Sequence, residues 1–123
     1  MNTALIMIGS NYNAESNMEL AKEKLSEYFD IVSQSSTLTT KAVGKKYKGD
    51  FRNEALAILS DDTSEGTRAM FKQIEKDMGR TRESKAKGEV PIDIDLIFWN
   101  EYLIHEDYNR FAFVKKCIDE IKE

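Results

Sequence analysis

One cysteine and one histidine among 123 residues leave no partner for a disulfide within the chain and no ligand set for a Cys/His zinc cage. That usage suits a reducing compartment, and a cytoplasmic location is expected. Long apolar runs are also missing. Residues 4–8 are too few for a signal peptide, and nothing later approaches the ~20 residues of a membrane span, so no membrane partner is expected. There is no basic excess either. Eighteen Lys and Arg against 22 Asp and Glu give a net charge of −4, which argues against the broad basic face of a nucleic-acid binder. Any anion site must be local. No composition break, linker or repeat divides the chain, so residues 1–123 are expected to form one domain.

What is present is a series of short apolar runs and amphipathic stretches. Residues 4–8 read as a buried strand ended by Gly9-Ser10-Asn11. Met18, Ala21, Leu25 and Phe29 recur at helical spacing and predict a helix ending near Asp30. Residues 31–38 mix β-branched and hydroxyl side chains as a strand would, and the polar stretch 39–50 reads as a mobile loop. In the strand expected over 51–59, Asn53, Ala55, Ala57 and Leu59 share one face while Leu56 and Ile58 share the other. Met70, Phe71, Ile74 and Met78 mark a second helix, with cap candidates at 61–64 and a stop at Gly79; Glu75 lies off that stripe. A strand over 92–99 and a short return strand at 102–104 follow. The last helix carries Phe113, Val114, Cys117, Ile118 and Ile121 on one face, which makes Cys117 a small core residue. This order predicts an α+β fold: a ferredoxin-like antiparallel sheet with helices packed on one face, a β-α-β-β-α-β core plus a C-terminal helix.

The functional signal lies in residues 79–99. Ile92, Ile94 and Leu96 alternate with Asp93 and Asp95, so two carboxylates sit side by side on one pleated face. Residues two apart on a strand are roughly 6.5 to 7 Å apart along it, close enough for their carboxylates to converge on a pair of cations. Upstream lie Arg80, Arg82, Lys85 and Lys87, a cationic complement for a polyphosphate bridged by metal ions. The competing reading is a solvated edge strand beside an ordinary basic loop. Against it stands the apolar run 96–99, which predicts a strand central to its sheet, where two charges need a wet cleft and a counterion.

Taken together, Gly9-Ser10-Asn11, Thr40 and Gly44, Phe51-Arg52-Asn53, Glu75 with Gly79-Arg80-Thr81-Arg82, and Asp93-Ile94-Asp95-Leu96 resemble the 6-hydroxymethyl-7,8-dihydropterin pyrophosphokinases. The similarity runs through almost the whole chain. The resemblance implies transfer of diphosphate from ATP to a pterin alcohol in folate biosynthesis, with two Mg2+ ions held by Asp93 and Asp95. It also implies an ATP side formed by Glu75, Arg80, Arg82, Lys85, Leu96 and His105. On the pterin side, Phe51 and Phe113 match the aromatic positions that sandwich the ring, Asn53 matches the amide that reads its polar edge, and Thr40 and Val43 lie where backbone groups meet it. Arg80, Asp93 and Asp95 are the catalytic candidates.

The departures are specific. Counting without gaps, the family's Trp-Gly-Pro-Arg becomes Lys87-Gly88-Glu89-Val90, the proline pair after Thr40 becomes Lys41-Ala42, and the family continues beyond residue 123 with further strands and a helix. Loss of a transition-state arginine costs several decades in rate, so impaired turnover is expected unless Lys85 or Lys87 does its work. On that count, Val90→Arg is expected to raise the rate. A binding relative without activity and a ferredoxin-like interaction domain are the alternatives.

Overall fold

The computed structural model describes residues 1–42 and 46–123. Its spine is β1 (Asn2–Ser10), which runs antiparallel to β4 (Phe51–Ser60) on one side and to β5 (Asp93–Trp99) on the other. With β2 (Asp30–Gln34), β3 (Leu38–Thr40) and β6 (Tyr102–Leu103), the sheet order is β2-β4-β1-β5-β6, and β3 extends the β2 side by pairing with the first residues of β4. Parallel β1 and β2 flank β4, and parallel β4 and β5 flank β1, so two split βαβ units interleave as the α+β reading expected.

The crossover helices α1 (Ala14–Ser26) and α2 (Ser64–Asp77) cover one face. Met18, Ala21 and Leu25 of α1 and Phe71 and Ile74 of α2 bury Ile6, Ile8, Leu56, Ile58, Ile94 and Leu96. The C-terminal helix, α5 (Ala112–Ile121), lies on the opposite face, where Val114, Cys117 and Ile118 pack on Leu5, Met7, Ala55, Ala57 and Ile97. Two covered faces explain why β1 is apolar throughout rather than alternating. Cys117 is fully buried, and burial pushes its thiol above the usual range, as suits a small core residue.

Several elements differ from the sequence pattern for local reasons. α1 ends at Ser26; Phe29 lies beyond it, where its N–H donates to the Leu25 carbonyl at 2.8 Å and its ring packs edge-on against Phe71. The strand expected over 31–38 breaks in two, because the Ser35 hydroxyl accepts the Ala55 N–H at 2.8 Å and interrupts the ladder. The loop expected from 39 gives up Thr39 and Thr40 to β3. Within the stretch before β5, Thr81 and Ser84 form a capping box that nucleates a short helix, α3 (Arg82–Ala86). β5 is not central along its length: β6 pairs only with Phe98 and Trp99, leaving 93–96 with β1 alone. A bulge opposite Leu5 and Ile6 turns both Ile97 and Phe98 towards α5. Among the described residues, no helix is long and apolar enough to cross a membrane.

Candidate functional site

α2 ends in a Schellman turn: Gly79 takes φ +95, the Gly79 N–H donates to the Lys76 carbonyl, and the Arg80 N–H donates to the Glu75 carbonyl at 3.1 Å. That turn brings the Arg80 side chain across to β5. Its Nη1 donates to Asp93 Oδ1 at 2.7 Å and to the Ile92 carbonyl at 3.3 Å, and lies 3.1 Å from Glu75 Oε2. Glu75 is 4% exposed, and the same Oε2 accepts the Ile94 N–H at 2.8 Å, while Lys72 lies 3.4 Å from Oε1. An acid expected on the ATP side is therefore also the bolt between α2 and β5.

Ile92, Ile94 and Leu96 point into the α1/α2 core, and Asp93 and Asp95 project from the other face, as the alternation requires. The two aspartates divide the electrostatic work unequally. Burial opposes ionisation of Asp93, but the hydrogen bond it shares with Asp95 and the Arg80 guanidinium outweigh this and hold it below the usual carboxylate range. Asp95 is pushed up to about 8 by burial, by the Asp93 charge and shared hydrogen bond, and by Glu75. Arg80 itself is raised: the hydrogen bond to Asp93 and the surrounding carboxylates outweigh its partial burial.

Three cavities lie around this pair: the first is lined by both aspartates and the third by Asp95, while the second reaches Asp93 only through Arg80. One, of about 220 Å³, is walled by Phe51, Phe113, Tyr47 and Asn53, has Thr40 at its rim, and exposes Asp93 and Asp95. A second, of about 420 Å³, is ringed by Lys46, Lys72, Arg80 and Lys85, with Glu75 and Val90 in its wall. The third, of about 150 Å³, lies between Arg68, Lys72, Asp95 and His105, with Leu96 at its base. A larger depression of about 940 Å³ near Val32, Tyr102 and Ile121 contains none of these residues.

The structure thus gathers most of the sequence candidates and separates a few. Asn53 is buried, and its Nδ2 donates to Thr40 Oγ1 at 2.9 Å and to the Leu38 carbonyl at 3.2 Å, so this amide edge is engaged by β3. Leu96 is 4% exposed and belongs mainly to the core. Arg82 is exposed at the start of α3 and lines none of the three cavities; Lys87 does not line them either. Val43 lies outside the described residues.

Val90, the position counted as the missing arginine, is 9% exposed. Its N–H donates to Asn11 Oδ1 at 2.6 Å, and its carbonyl accepts from the Asn11 N–H at 3.1 Å and the Ser10 hydroxyl at 3.1 Å. Asn11 Nδ2 also holds the Gly88 carbonyl at 2.9 Å. Gly88, at φ +71, lies under the 46–48 backbone, and Lys48 closes the contact with a 3.0 Å ion pair to Glu89. Residues that pattern reading missed include Tyr47, edge-on to Phe51 at 5.2 Å, and Lys72, one turn before Glu75. Asp107 was also missed, though it stands two residues after the single histidine: Asp95, His105 and Asp107 bring donor atoms within 4.8 Å of one another.

A family model described as 7,8-dihydro-6-hydroxymethylpterin-pyrophosphokinase matches residues 5–123. The 2-amino-4-hydroxy-6-hydroxymethyldihydropteridine pyrophosphokinase of Aquifex aeolicus (strain VF5) is 30% identical to this chain over 105 residues. The aligned region covers 85% of this chain and 65% of that relative, so the chain spans just under two thirds of the relative's length. On a match that extends over nearly every residue and includes the strand, loop and turn described above, the chain belongs to the 7,8-dihydro-6-hydroxymethylpterin-pyrophosphokinase family.

Proposed function

We propose that this chain transfers the terminal diphosphate of ATP to the hydroxymethyl group of 6-hydroxymethyl-7,8-dihydropterin, releasing AMP. The observation that carries the proposal is one carboxylate pair that lines an aromatic cavity and is tied, through the Arg80–Asp93 ion pair, to a lysine- and arginine-ringed one. Phe51 and Phe113 would flank the pterin ring, with Asn53, Thr40 and Val43 along its polar edge. Arg80, Lys72, Lys85 and Lys46 would neutralise the triphosphate, and Glu75 would hold Arg80 in line. Leu96 and His105 would border the nucleotide, while Arg82, exposed on α3, stands outside this set.

Asp93 and Asp95 fit Mg2+: both offer hard oxygen donors, and Asp95 has no ion-pair partner among the described residues. Two Mg2+ ions bound there would supply positive charge to the transferring diphosphate. Arg80 already lies beside Asp93, so much of the charge that phosphoryl transfer needs is preorganised. Burial of Val90 favours a second reading, a relative that binds both ligands without turnover.

Calorimetry with a non-hydrolysable ATP analogue and Mg2+, followed by an AMP-release assay with the pterin alcohol, separates the readings. Binding with pterin-dependent AMP release supports transfer. Binding alone leaves the second reading, and absence of nucleotide binding overturns both in favour of an interaction domain.

A further inference from the structure

We propose that Asp95, His105 and Asp107 form a site for a nitrogen-preferring divalent transition ion, of the Zn2+ or Co2+ class, that fills without nucleotide. Two pieces of backbone, β5 and the turn 105–107, supply the donors. Asp95 comes from β5 and Asp107 from the start of α4 (Asp107–Arg110), while His105 lies in the link before α4. That link is tied back to the sheet, because the Ile104 and His105 N–H groups both donate to the Ile97 carbonyl, at 2.8 and 3.3 Å.

The donor geometry is close to closed. One donor atom from each residue lies within 4.8 Å of the others, and His105 Nδ1 is 3.6 Å from Asp107 Oδ2. Two donors each about 2.0 to 2.1 Å from a tetrahedral ion stand about 3.3 Å apart, so small side-chain rotations complete the set. His105 Nδ1 accepts the Asp107 N–H at 3.1 Å, so an ion bound at that nitrogen takes its lone pair in place of this bond. Arg80 pairs with Asp93 and not with Asp95. Arg68 and Lys72 border the same cavity and oppose a cation there, yet neither forms an ion pair with Asp95. An imidazole among the donors selects transition ions over Mg2+, which favours oxygen alone.

The single histidine makes the test direct. In the ligand-free protein, Zn2+ is added while the His105 ring-proton resonances are followed, and Co2+ is added while visible absorption is recorded. The expected result is a saturable one-to-one shift of the ring protons, with affinity about tenfold or more weaker in both Asp95→Asn and Asp107→Asn and a smaller change in Asp93→Asn. Circular dichroism shows whether each variant is folded, and the wild-type titration stands without them. Ring signals that fail to saturate in the wild type overturn the proposal. So does an Asp107→Asn variant that is folded and binds as tightly as wild type, or an Asp93→Asn loss equal to that of Asp95→Asn. Because no nucleotide is present, failure of the proposed transfer reaction leaves this outcome readable on its own.

Discussion

Replacing Glu75 tests the physical argument at a charged residue only 4% exposed. Glu75→Leu keeps the approximate volume but removes the acceptor of the Ile94 N–H and one of the two carboxylates around Arg80. An orphaned interior N–H costs about 1 to 3 kcal/mol. Arg80 is 38% exposed and keeps Asp93, so the lost ion pair adds at most about 1 kcal/mol after solvent screening. The sum is about 1 to 4 kcal/mol, or roughly 4 to 15 °C in Tm for a chain of this size. Glu75→Gln retains an oxygen for Ile94 and should cost about 1 kcal/mol, a few degrees. Thermal unfolding by circular dichroism gives both values, and hydrogen exchange at the Ile94 amide shows whether that bond opens only in the leucine variant. If leucine melts within about 3 °C of wild type, or no lower than glutamine, Glu75 is not the bolt between α2 and β5.

Asp95→Ala should abolish measurable metal–nucleotide binding by calorimetry while changing stability by less than about 1 kcal/mol, because the ionised side chain is opposed by burial, Asp93 and Glu75. The raised pKa of Asp95, about 8 against an ordinary 3.8, means the folded state holds a proton that the unfolded state has lost. Its stabilising contribution is complete below about pH 4 and disappears as pH rises towards 8, so the ligand-free Tm should decline over that window and Asp95→Asn should flatten the decline. The opposite sign applies to Asp93, whose lowered pKa contributes stability above its unfolded value that is lost in acid. Val90→Arg should destabilise by about 2 to 4 kcal/mol in denaturant unfolding, since a cation would replace a buried aliphatic side chain whose backbone Asn11 clamps. Gly88→Ala should lower Tm and speed proteolysis within 79–91, because its Cβ would clash with the Lys46 carbonyl oxygen at a positive φ.

Features carried by local periodicity were legible in the sequence. The alternation through 92–96 placed Asp93 and Asp95 on one face, and Gly79 marked the end of α2 where the Schellman turn occurs. Features settled by distant partners were not. Ser35 ends β2 by capturing a backbone group of β4, which no pattern within 31–38 reveals. The count that offered Val90 for an arginine could not show its restraints, which come from Ser10 and Asn11, some 80 residues away in sequence. The apolar run 96–99 suggested a central strand; helices cover both of its faces, but strands flank both of its edges only at Phe98 and Trp99. Asp107 escaped notice because its neighbours in space are on β5 and in the link before α4, and a lone His-x-Asp has no periodicity to advertise it.

The central claim is that the carboxylate pair in the aromatic cavity, joined through Arg80 to the basic one, serves diphosphate transfer. Phosphorus NMR of protein incubated with ATP, Mg2+ and the pterin alcohol tests it most directly. The account predicts equal growth of AMP and a pterin diphosphate, absent without the pterin and absent in a folded Asp95→Asn variant. ADP with inorganic phosphate as the products, or transfer that continues undiminished in Asp95→Asn, would contradict it.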